Sequence, residues 1–270
     1  MTAQNGAKLH ESDRSVDARR RFGGLDRLFG ASAVRRVSGA HVVVVGIGGV
    51  GSWAAEALAR SGVGRLTLVD MDHIAESNIN RQIHALDTTL GQSKGLAMRD
   101  RIADIHPGCE VMCIDEFVDA HNWPSLLGTA HVDGVIDACD NVQAKTAIAA
   151  WARRTGTLFV TSGAAGGKRL AHKVEIDDLA RTTHDPLLAQ VRYRLRKHYN
   201  APRAPLQSMH IACVFSREAV VQPSAGGDGT HADGSLNCAG YGSTVAVTAT
   251  FGFCAAGWML NSLTGTKTNV

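Results

Sequence analysis

A glycine-rich hexapeptide stands between an apolar run and an alanine-rich segment. The hexapeptide is Gly46-Ile47-Gly48-Gly49-Val50-Gly51, and the apolar run before it is His41–Val45. Glycines permit a tight turn and let a phosphate approach backbone N–H groups, while the start of the following helix supplies partial positive charge. The sequence therefore predicts that Gly46, Gly48 and Gly51 form a nucleotide phosphate loop.

A carboxylate follows this loop at the end of the second apolar run. Asp70 lies 19 positions after Gly51, where a carboxylate accepts hydrogen bonds from ribose hydroxyls. The loop and this carboxylate suit an NAD-dependent dehydrogenase as well as they suit an enzyme that uses ATP. Both interpretations stay open on these two features.

Two cations and a second carboxylate favour ATP. Arg81 follows Asp70 closely, and Lys94 comes 13 positions after Arg81 at the start of a predicted helix. An enzyme that transfers AMP must neutralise a triphosphate and its departing pyrophosphate, which calls for fixed cations. Asp140 follows the run Val132–Asp137, at the edge where open α/β sheets bind ligands, and can hold Mg²⁺ against phosphates. We interpret Arg81, Lys94 and Asp140 as the catalytic residues of an adenylate-forming enzyme with ATP and Mg²⁺ as cofactors.

Short apolar runs that alternate with helical segments must position these residues. The predicted strands are His41–Val45, Leu66–Val69, Val111–Ile114, Val132–Asp137 and Leu158–Thr161, and the predicted helices are Ser52–Ser61, Lys94–His106 and Val142–Thr155. This alternation predicts an α/β fold, a Rossmann-like and mostly parallel sheet with helices on both faces.

The alternation of predicted strands and helices breaks after about residue 165. We predict a basic helix over Asp185–His198, a long loop over 202–237, and a return to the core over Tyr241–Leu263. The expected organisation is a disordered tail at 1–17, an N-terminal helix over Ala18–Val37, and one adenylation domain at 18–270. Within that domain we expect a nucleotide-binding core at 18–165 and a substrate-binding C-terminal extension at 166–270.

Composition narrows the class of protein. The net charge of +3 is too small to identify a partner, and six cysteines without a CxxC pair support neither a four-cysteine zinc site nor a CxxC redox centre. A polar N-terminus without an apolar run predicts a cytoplasmic protein. The apolar segment Val245–Leu260 falls short of the roughly 20 residues that span a bilayer, so we expect a core element, with membrane association as the alternative.

Longer segments resemble the ubiquitin-activating-enzyme-like (E1-like), ThiF/MoeB-type superfamily. The segments that carry this resemblance are Gly46–Asp72, Ser77–Leu86 and Asp137–Asn141. Four others are similar to the bacterial tRNA threonylcarbamoyladenosine dehydratases within it, namely Arg20–Gly30, His184–Lys197, Cys213–Glu218 and Gly240–Phe253. The resemblance covers nearly the whole chain from Arg20 to Leu260.

The resemblance implies roles for single residues. Gly46, Gly48 and Gly51 would form the nucleotide loop, and Asp70 and Asn78 would hold the ribose. Arg81 and Lys94 would touch the phosphates, and Asp140 would bind Mg²⁺. The family also implies a homodimer, makes Arg21 the candidate for an arginine that reaches the partner's ATP, and leaves a monovalent cation open.

The resemblance also implies a reaction. The threonyl carboxylate of N6-threonylcarbamoyladenosine at position 37 of tRNA attacks the α-phosphate of ATP, pyrophosphate leaves, and the ureido group closes a ring as AMP departs. An intramolecular nucleophile has a high effective concentration, so no catalytic thiol is needed. Cys238 is the thiol expected nearest to a site, although a buried and inert cysteine is the favoured interpretation, and Cys139 is expected to pack at a strand end.

A cluster of cations is the candidate tRNA surface. Arg192, Arg194, Arg196 and Lys197 lie on the predicted basic helix, together with nearby cations of the flanking segments: Lys168, Arg169, Lys173, Arg181 and Arg203. Phosphate contacts of this kind weaken with salt, and Tyr193 and Tyr199 are placed to stack on a base. The alternative is a charged helix face that meets only water.

Three other functions compete with the tRNA dehydratase. One is an activator of a sulfur-carrier or ubiquitin-like protein, although such activators usually carry two CxxC pairs that this chain lacks. Another is a nucleotide-binding scaffold that supports a cysteine desulfurase and its sulfur acceptor. An NAD-dependent dehydrogenase is the last.

Overall fold

Within the part of the chain that the structure describes, seven strands form a single sheet in the order β3-β2-β1-β4-β5-β7-β6. The strands are β1 His41–Val45, β2 Arg65–Val69, β3 Glu110–Ile114, β4 Gly134–Asp137, β5 Leu158–Ser162, β6 Val174–Asp178 and β7 Ala212–Ser216. All neighbours pair in parallel except β6, which pairs antiparallel with β7. The computed structural model describes residues 18–204, 207–221 and 241–266. The predicted tail at 1–17 and Cys238 lie outside them.

Helices cover both faces of this sheet. Among the described residues they are α1 Ala18–Phe29, α2 Ala31–Gly39, α3 Gly51–Arg60, α4 Lys94–Ile105, α5 Val142–Thr155, α6 Pro186–His198 and α7 Val245–Thr264. Because side chains alternate along a strand, Val42 and Val44 of β1 pack with α3 and α7. Val43 and Val45 face the other way and pack in the cluster that includes residues of α5 and α6. Both faces of β1 are buried, which explains its unbroken run of valines.

Helix α7 packs closely against α3. A Cβ on Gly252 would lie 2.5 Å from the Val50 carbonyl oxygen and 2.9 Å from Ala54 N, so the absence of a side chain permits this approach. By length and composition α7 is the one helix among the described residues that could cross a membrane, but half of its apolar window is buried inside the protein. The burial supports the prediction of a core element.

The predicted fold class is confirmed, and two segments correct the prediction of its C-terminal part. Strands β6 and β7 continue the sheet where the sequence indicated a break. β7 lies inside the stretch predicted as loop, and its five residues are all buried. β6 has the sequence Val-Glu-Ile-Asp-Asp and lies at the sheet edge. Because three of its five residues are acidic, it is not an apolar run of the kind that predicts a buried strand. The division of the domain at residue 165 stays a prediction.

The N-terminal helix is also different from the prediction. It consists of two helices, α1 and α2, separated by Gly30. Gly30 has a φ of 84°, a left-handed conformation that ends a helix and favours glycine.

Candidate active site

A cleft of about 560 Å³ opens at the carboxyl ends of the central strands. It lies where the strand order reverses, between β1 and β4, which is the place where open α/β sheets bind ligands. Seven of the predicted site residues line it: Gly46, Gly48, Asp70, Asn78, Arg81, Lys94 and Asp140. Gly51 lies behind this wall as the first residue of α3.

The glycine loop is shaped by close backbone contacts. A Cβ on Gly51 would lie 1.8 Å from the Gly46 carbonyl oxygen, and Gly46 itself has a φ of 84°. Within the described residues, the amides of Gly48, Gly49 and Val50 donate no hydrogen bond, and no side chain caps α3. Free N–H groups at a helix N-terminus are an anion site. The loop therefore has the geometry expected for a phosphate cradle.

Asp70 stabilises this loop by accepting a hydrogen bond from its backbone. Its Oδ2 accepts a hydrogen bond of 2.6 Å from Ile47 N, and its Oδ1 accepts one of 2.8 Å from Asp72 N. Burial raises the pKa of Asp70, while the charge of Lys94 opposes that rise. A carboxylate offers about four acceptor positions, so Asp70 retains capacity for a ribose hydroxyl in the cleft.

Lys94 is held in the cleft by a residue that the sequence analysis missed. Its Nζ lies 2.7 Å from Asp72 Oδ2, with the lysine side chain 8% exposed and the aspartate 55% exposed. Burial of the lysine stem aims its ammonium at the cleft. Asp72 lies two positions after Asp70, but only the fold brings the start of α4 beside it.

Arg81 and Asn78 come from one turn beside the loop. The Asn78 Oδ1 accepts a hydrogen bond of 3.0 Å from Ala75 N. The Arg81 Nη1 donates to the Ser77 carbonyl oxygen at 2.6 Å, and its own carbonyl oxygen accepts a bond of 2.9 Å from Trp53 Nε1. The backbone of Arg81 is thus fixed to α3, while its guanidinium rests on a carbonyl that a phosphate can replace.

A buried ion pair supports the turn that carries Asp140. Asp137 and Lys145 are both 0% exposed, and the Lys145 Nζ lies 3.1 Å from Asp137 Oδ2. The Thr161 hydroxyl donates to the same oxygen at 2.7 Å, and the Cys139 thiol donates to Asp137 Oδ1 at 3.0 Å. Burial and the charge of Asp137 hold the pKa of Cys139 well above its usual value. Cys139 therefore lies in the cleft as a neutral hydrogen-bond donor.

Asp140 itself is exposed at the cleft, in the turn between β4 and α5. The next residue, Asn141, caps α5 through hydrogen bonds from Gln143 N at 2.8 Å and Ala144 N at 3.0 Å. The described residues contain no group of three His, Cys, Asp or Glu side chains that could hold a metal ion alone. A single exposed carboxylate fits Mg²⁺, which commonly binds one or two carboxylates together with substrate phosphates.

The predicted tRNA-binding residues are at a distance from the cleft. Leu187, in the first turn of α6, lines the cleft, and the helix leads away from it, so Arg194 and Lys197 lie about 10–15 Å further along the axis. The Arg192 Nη1 donates to the carbonyl oxygens of Leu179 at 3.0 Å and Thr182 at 3.1 Å. Arg192 therefore links α6 to the segment before it.

Arg196 and Arg21, two other residues with predicted roles, also donate to backbone carbonyls. The Arg196 Nε donates to the Pro202 carbonyl oxygen at 2.9 Å. Arg21 donates to the carbonyl oxygens of Asp104 at 3.3 Å and Ile105 at 2.5 Å, so in this structure it caps the end of α4. Lys168 is only 2% exposed, so its expected place among the surface cations was wrong.

Other cleft residues gave no signal in the sequence. Phe117 follows β3, is 67% exposed and lines the cleft. Thr248 also lines it and comes from α7, far away in the chain. Only the folded topology brings these two side chains to the edge that carries the glycine loop, whereas Gln82, which also lines the cleft, is the chain neighbour of Arg81.

Comparison with known proteins gives consistent matches over the whole fold. Residues 24–270 match the model of the ThiF family. The tRNA threonylcarbamoyladenosine dehydratase of Haemophilus influenzae is 43% identical over 244 residues, covering 90% of this chain and 93% of that protein. The protein of the same name from Escherichia coli K12 is 43% identical over 254 residues, covering 91% and 94%. The crystal structure of the E. coli enzyme, TcdA, in complex with ATP superposes with a TM-score of 0.83 at 41% identity, covering 94% of this chain and 98% of that one.

Proposed function

The chain belongs to the ThiF family, and from that premise we propose that it is an enzyme that uses ATP to dehydrate and cyclise N6-threonylcarbamoyladenosine at position 37 of tRNA. Relatives that are 43% identical over about nine tenths of the chain carry the name of this activity. The E. coli relative has been crystallised with ATP and with AMP. The observation that carries the proposal is the convergence of the glycine loop, Arg81 and Lys94 on one cleft.

Different residues of the cleft bind different parts of ATP. The free amides of the glycine loop hold phosphate oxygens, and Asp70 and Asn78 face the ribose. Lys94 exchanges its contact with Asp72 for a phosphate, and Arg81 exchanges its contact with the Ser77 carbonyl. Because both cations are already fixed near the phosphates, they stabilise the charge that develops on pyrophosphate as it leaves.

Asp140 is the residue that would hold Mg²⁺. The capped α5 and the buried Asp137–Lys145 pair fix its turn beside the glycine loop, where Gly46 lies against the backbone of Ala138 and Cys139. When bound, Mg²⁺ would neutralise part of the triphosphate charge.

Apart from ATP, the reacting groups of both steps belong to the substrate nucleoside. Its threonyl carboxylate attacks the α-phosphorus, the bond to pyrophosphate breaks, and a mixed anhydride with AMP results. The ureido group then attacks the activated carbonyl, loses a proton, and expels AMP with one carboxylate oxygen. The net change is loss of water. Since the second nucleophile belongs to the same nucleoside, the cleft needs no thiol to carry the acyl group.

The tRNA would extend from the cleft along α6. Arg194 is half-exposed and Lys197 is exposed, at a distance that suits phosphates of the stem next to the modified nucleotide. We place this activity in the cytoplasm, with the substrate tRNA.

We further propose that the enzyme works as a homodimer. Phe253 and Val245 of α7 are 49% and 40% exposed, and apolar exposure on a helix that otherwise packs in the core is suited to a second copy. Analytical ultracentrifugation of the protein and of Phe253→Glu tests this. A wild-type monomer at micromolar concentration would refute it.

Pyrophosphate exchange tests the proposed function. The protein is incubated with ATP, Mg²⁺ and labelled pyrophosphate, together with tRNA carrying threonylcarbamoyladenosine, unmodified tRNA, or a sulfur-carrier protein. We expect exchange only with modified tRNA, and nucleoside mass spectrometry should show the loss of one water from position 37. Exchange driven by the carrier protein would instead identify an activator of carrier proteins. No exchange with any of them would favour a scaffold that serves a cysteine desulfurase.

A further inference from the structure

The ammonium group of Lys168 is enclosed by backbone carbonyls. The side chain is 2% exposed, and its Nζ donates to the carbonyl oxygens of His184 at 2.9 Å and Ser216 at 3.4 Å, and to that of Glu218. Three donors therefore meet three neutral acceptors. Lys145, the other fully buried lysine among the described residues, instead pairs with a carboxylate.

Two carboxylates surround this site without entering it. The Asp185 Oδ1 and Oδ2 accept hydrogen bonds of 2.9 Å from Leu188 N and Ala164 N. The Glu218 Oε2 accepts hydrogen bonds from Arg169 N at 2.9 Å and Leu170 N at 2.8 Å. Burial lowers the pKa of Lys168, while the charges of Asp185 and Glu218 oppose that effect. Carbonyl oxygens close to the cation and carboxylates further out keep the ammonium form favourable in a buried place.

Lys168 and its three carbonyl acceptors come from three segments that are distant in the chain. Lys168 lies in the connection from β5 to β6, His184 precedes the N-cap of α6, and Ser216 and Glu218 lie at and just after the end of β7. The first two segments also line the cleft, through Gly163–Ala165 and Leu187, and we call this lining the substrate-side wall. One buried cation thus joins the pieces from which this wall is built.

Backbone carbonyl oxygens are also what coordinates K⁺ in the filters of K⁺ channels. Ammonium and K⁺ are both monovalent and of similar size, so the same oxygens suit either. We propose that Lys168 is a tethered cation: its ammonium occupies a site that K⁺ or NH₄⁺ would otherwise fill, and thereby positions the substrate-side wall of the cleft. The effect on the wall rests on the proposed function, whereas the cation site does not.

Removal of the side chain tests the site directly. Lys168→Ala leaves the three carbonyls with a vacancy that a small cation can enter. Melting temperature is measured in tetramethylammonium chloride, which is too large to enter, and then as K⁺ or NH₄⁺ replaces it at constant ionic strength. We expect the variant to melt several degrees below the wild type in tetramethylammonium and to recover saturably with K⁺ or NH₄⁺. Any response of the wild type should be smaller, because its own ammonium already fills the site.

Two further variants keep the test decisive. Lys173→Ala removes an exposed lysine of the same connection and should melt like the wild type in every salt. Lys168→Met fills the vacancy with an uncharged chain and should stay destabilised whatever the cation. A wild-type melting temperature for Lys168→Ala in tetramethylammonium, or an equal response to K⁺ in all variants, would overturn the proposal. If Lys168→Ala is insoluble, its refolding yield in K⁺ against tetramethylammonium decides in the same way.

The substrate-side wall is tested by activity. Lys168→Ala assayed in tetramethylammonium should show a raised KM for modified tRNA with a smaller change in KM for ATP, and K⁺ should reverse this. An equal rise in both KM values would contradict a role in the substrate-side wall. Melting needs neither ATP nor tRNA, so a failed cation response and a failed tRNA reaction are separate results.

Discussion

Asp72 and Lys94 are joined twice, once through their side chains and once through their main chains. Asp72 Oδ2 lies 2.7 Å from Lys94 Nζ, and the Asp72 carbonyl oxygen accepts a hydrogen bond of 3.0 Å from Lys94 N. The main-chain bond fixes the start of α4 at the cleft, and the carboxylate holds the ammonium until a phosphate arrives. Position and charge are therefore supplied by separate contacts.

This separation predicts unequal effects of two substitutions. Lys94→Met should lower the rate of adenylate formation by about 10²–10³-fold, the usual loss for one fixed transition-state contact. The melting temperature should change little, because the exposed Asp72 carboxylate returns to water. Asp72→Asn keeps the main-chain bond and should lose far less activity. Equal losses in pyrophosphate exchange would mean that the carboxylate itself takes part in the chemistry.

The glycine loop predicts a steep difference between two glycine substitutions. Gly51→Ala would place a Cβ 1.8 Å from the Gly46 carbonyl oxygen, so the loop must move. We expect ATP binding to fall by at least 100-fold in isothermal titration. Gly257→Ala in α7 is the control, because nothing lies within 4 Å of its new Cβ, and it should gain up to about 1 kcal/mol of stability. Normal ATP affinity in Gly51→Ala would refute a phosphate cradle at this loop.

Sequence patterns predicted the parts of this site that depend on local spacing. The loop, Asp70 and the start of α4 follow from strand–turn–helix order, and the structure brings them to one cleft. Asp72 and Phe117 were missed because their roles depend on which strands become neighbours. β6 was missed for a related reason: its Val-Glu-Ile-Asp-Asp sequence is a strand only because β7 provides a partner. Lys168 looked like a surface cation, since its carbonyl acceptors lie up to 50 positions away.

The buried Asp137–Lys145 pair predicts a large cost for removing one charge. Lys145→Met leaves the Asp137 carboxylate buried without its partner and should destabilise the protein by about 3–5 kcal/mol. The double variant Asp137→Asn/Lys145→Met removes both charges and should recover much of that loss. Urea unfolding of both variants measures the difference. If the double variant is as unstable as Lys145→Met, the cost comes from packing and not from an unpaired charge.

His84 predicts a loss of stability in mild acid. Its ring is buried, and burial followed by the charges of Lys94 and Arg101 lowers its pKa from 6.5 to about 4. Between these values the unfolded chain binds a proton that the folded protein does not, so stability falls as pH drops from about 6.5 to about 4. The contribution is roughly 2–4 kcal/mol and levels off below that range. His84→Leu should flatten this part of the urea-unfolding profile, and an unchanged slope would contradict the assignment to His84.

The exposed end of α6 predicts how tRNA affinity responds to salt. Arg192 and Arg196 are engaged by backbone carbonyls, so reversing their charge would disturb the fold, whereas Arg194 and Lys197 face outward. Each phosphate contact contributes about 0.7–0.9 to the slope of log affinity against log salt concentration. Arg194→Glu/Lys197→Glu should therefore weaken tRNA binding and reduce that slope by roughly one to two, while ATP binding is unchanged. Arg27→Glu on the exposed face of α1 is the control and should leave the slope as it is. An unchanged slope in the double variant would place the tRNA on a different surface, because no phosphate contact along α6 would then have been lost.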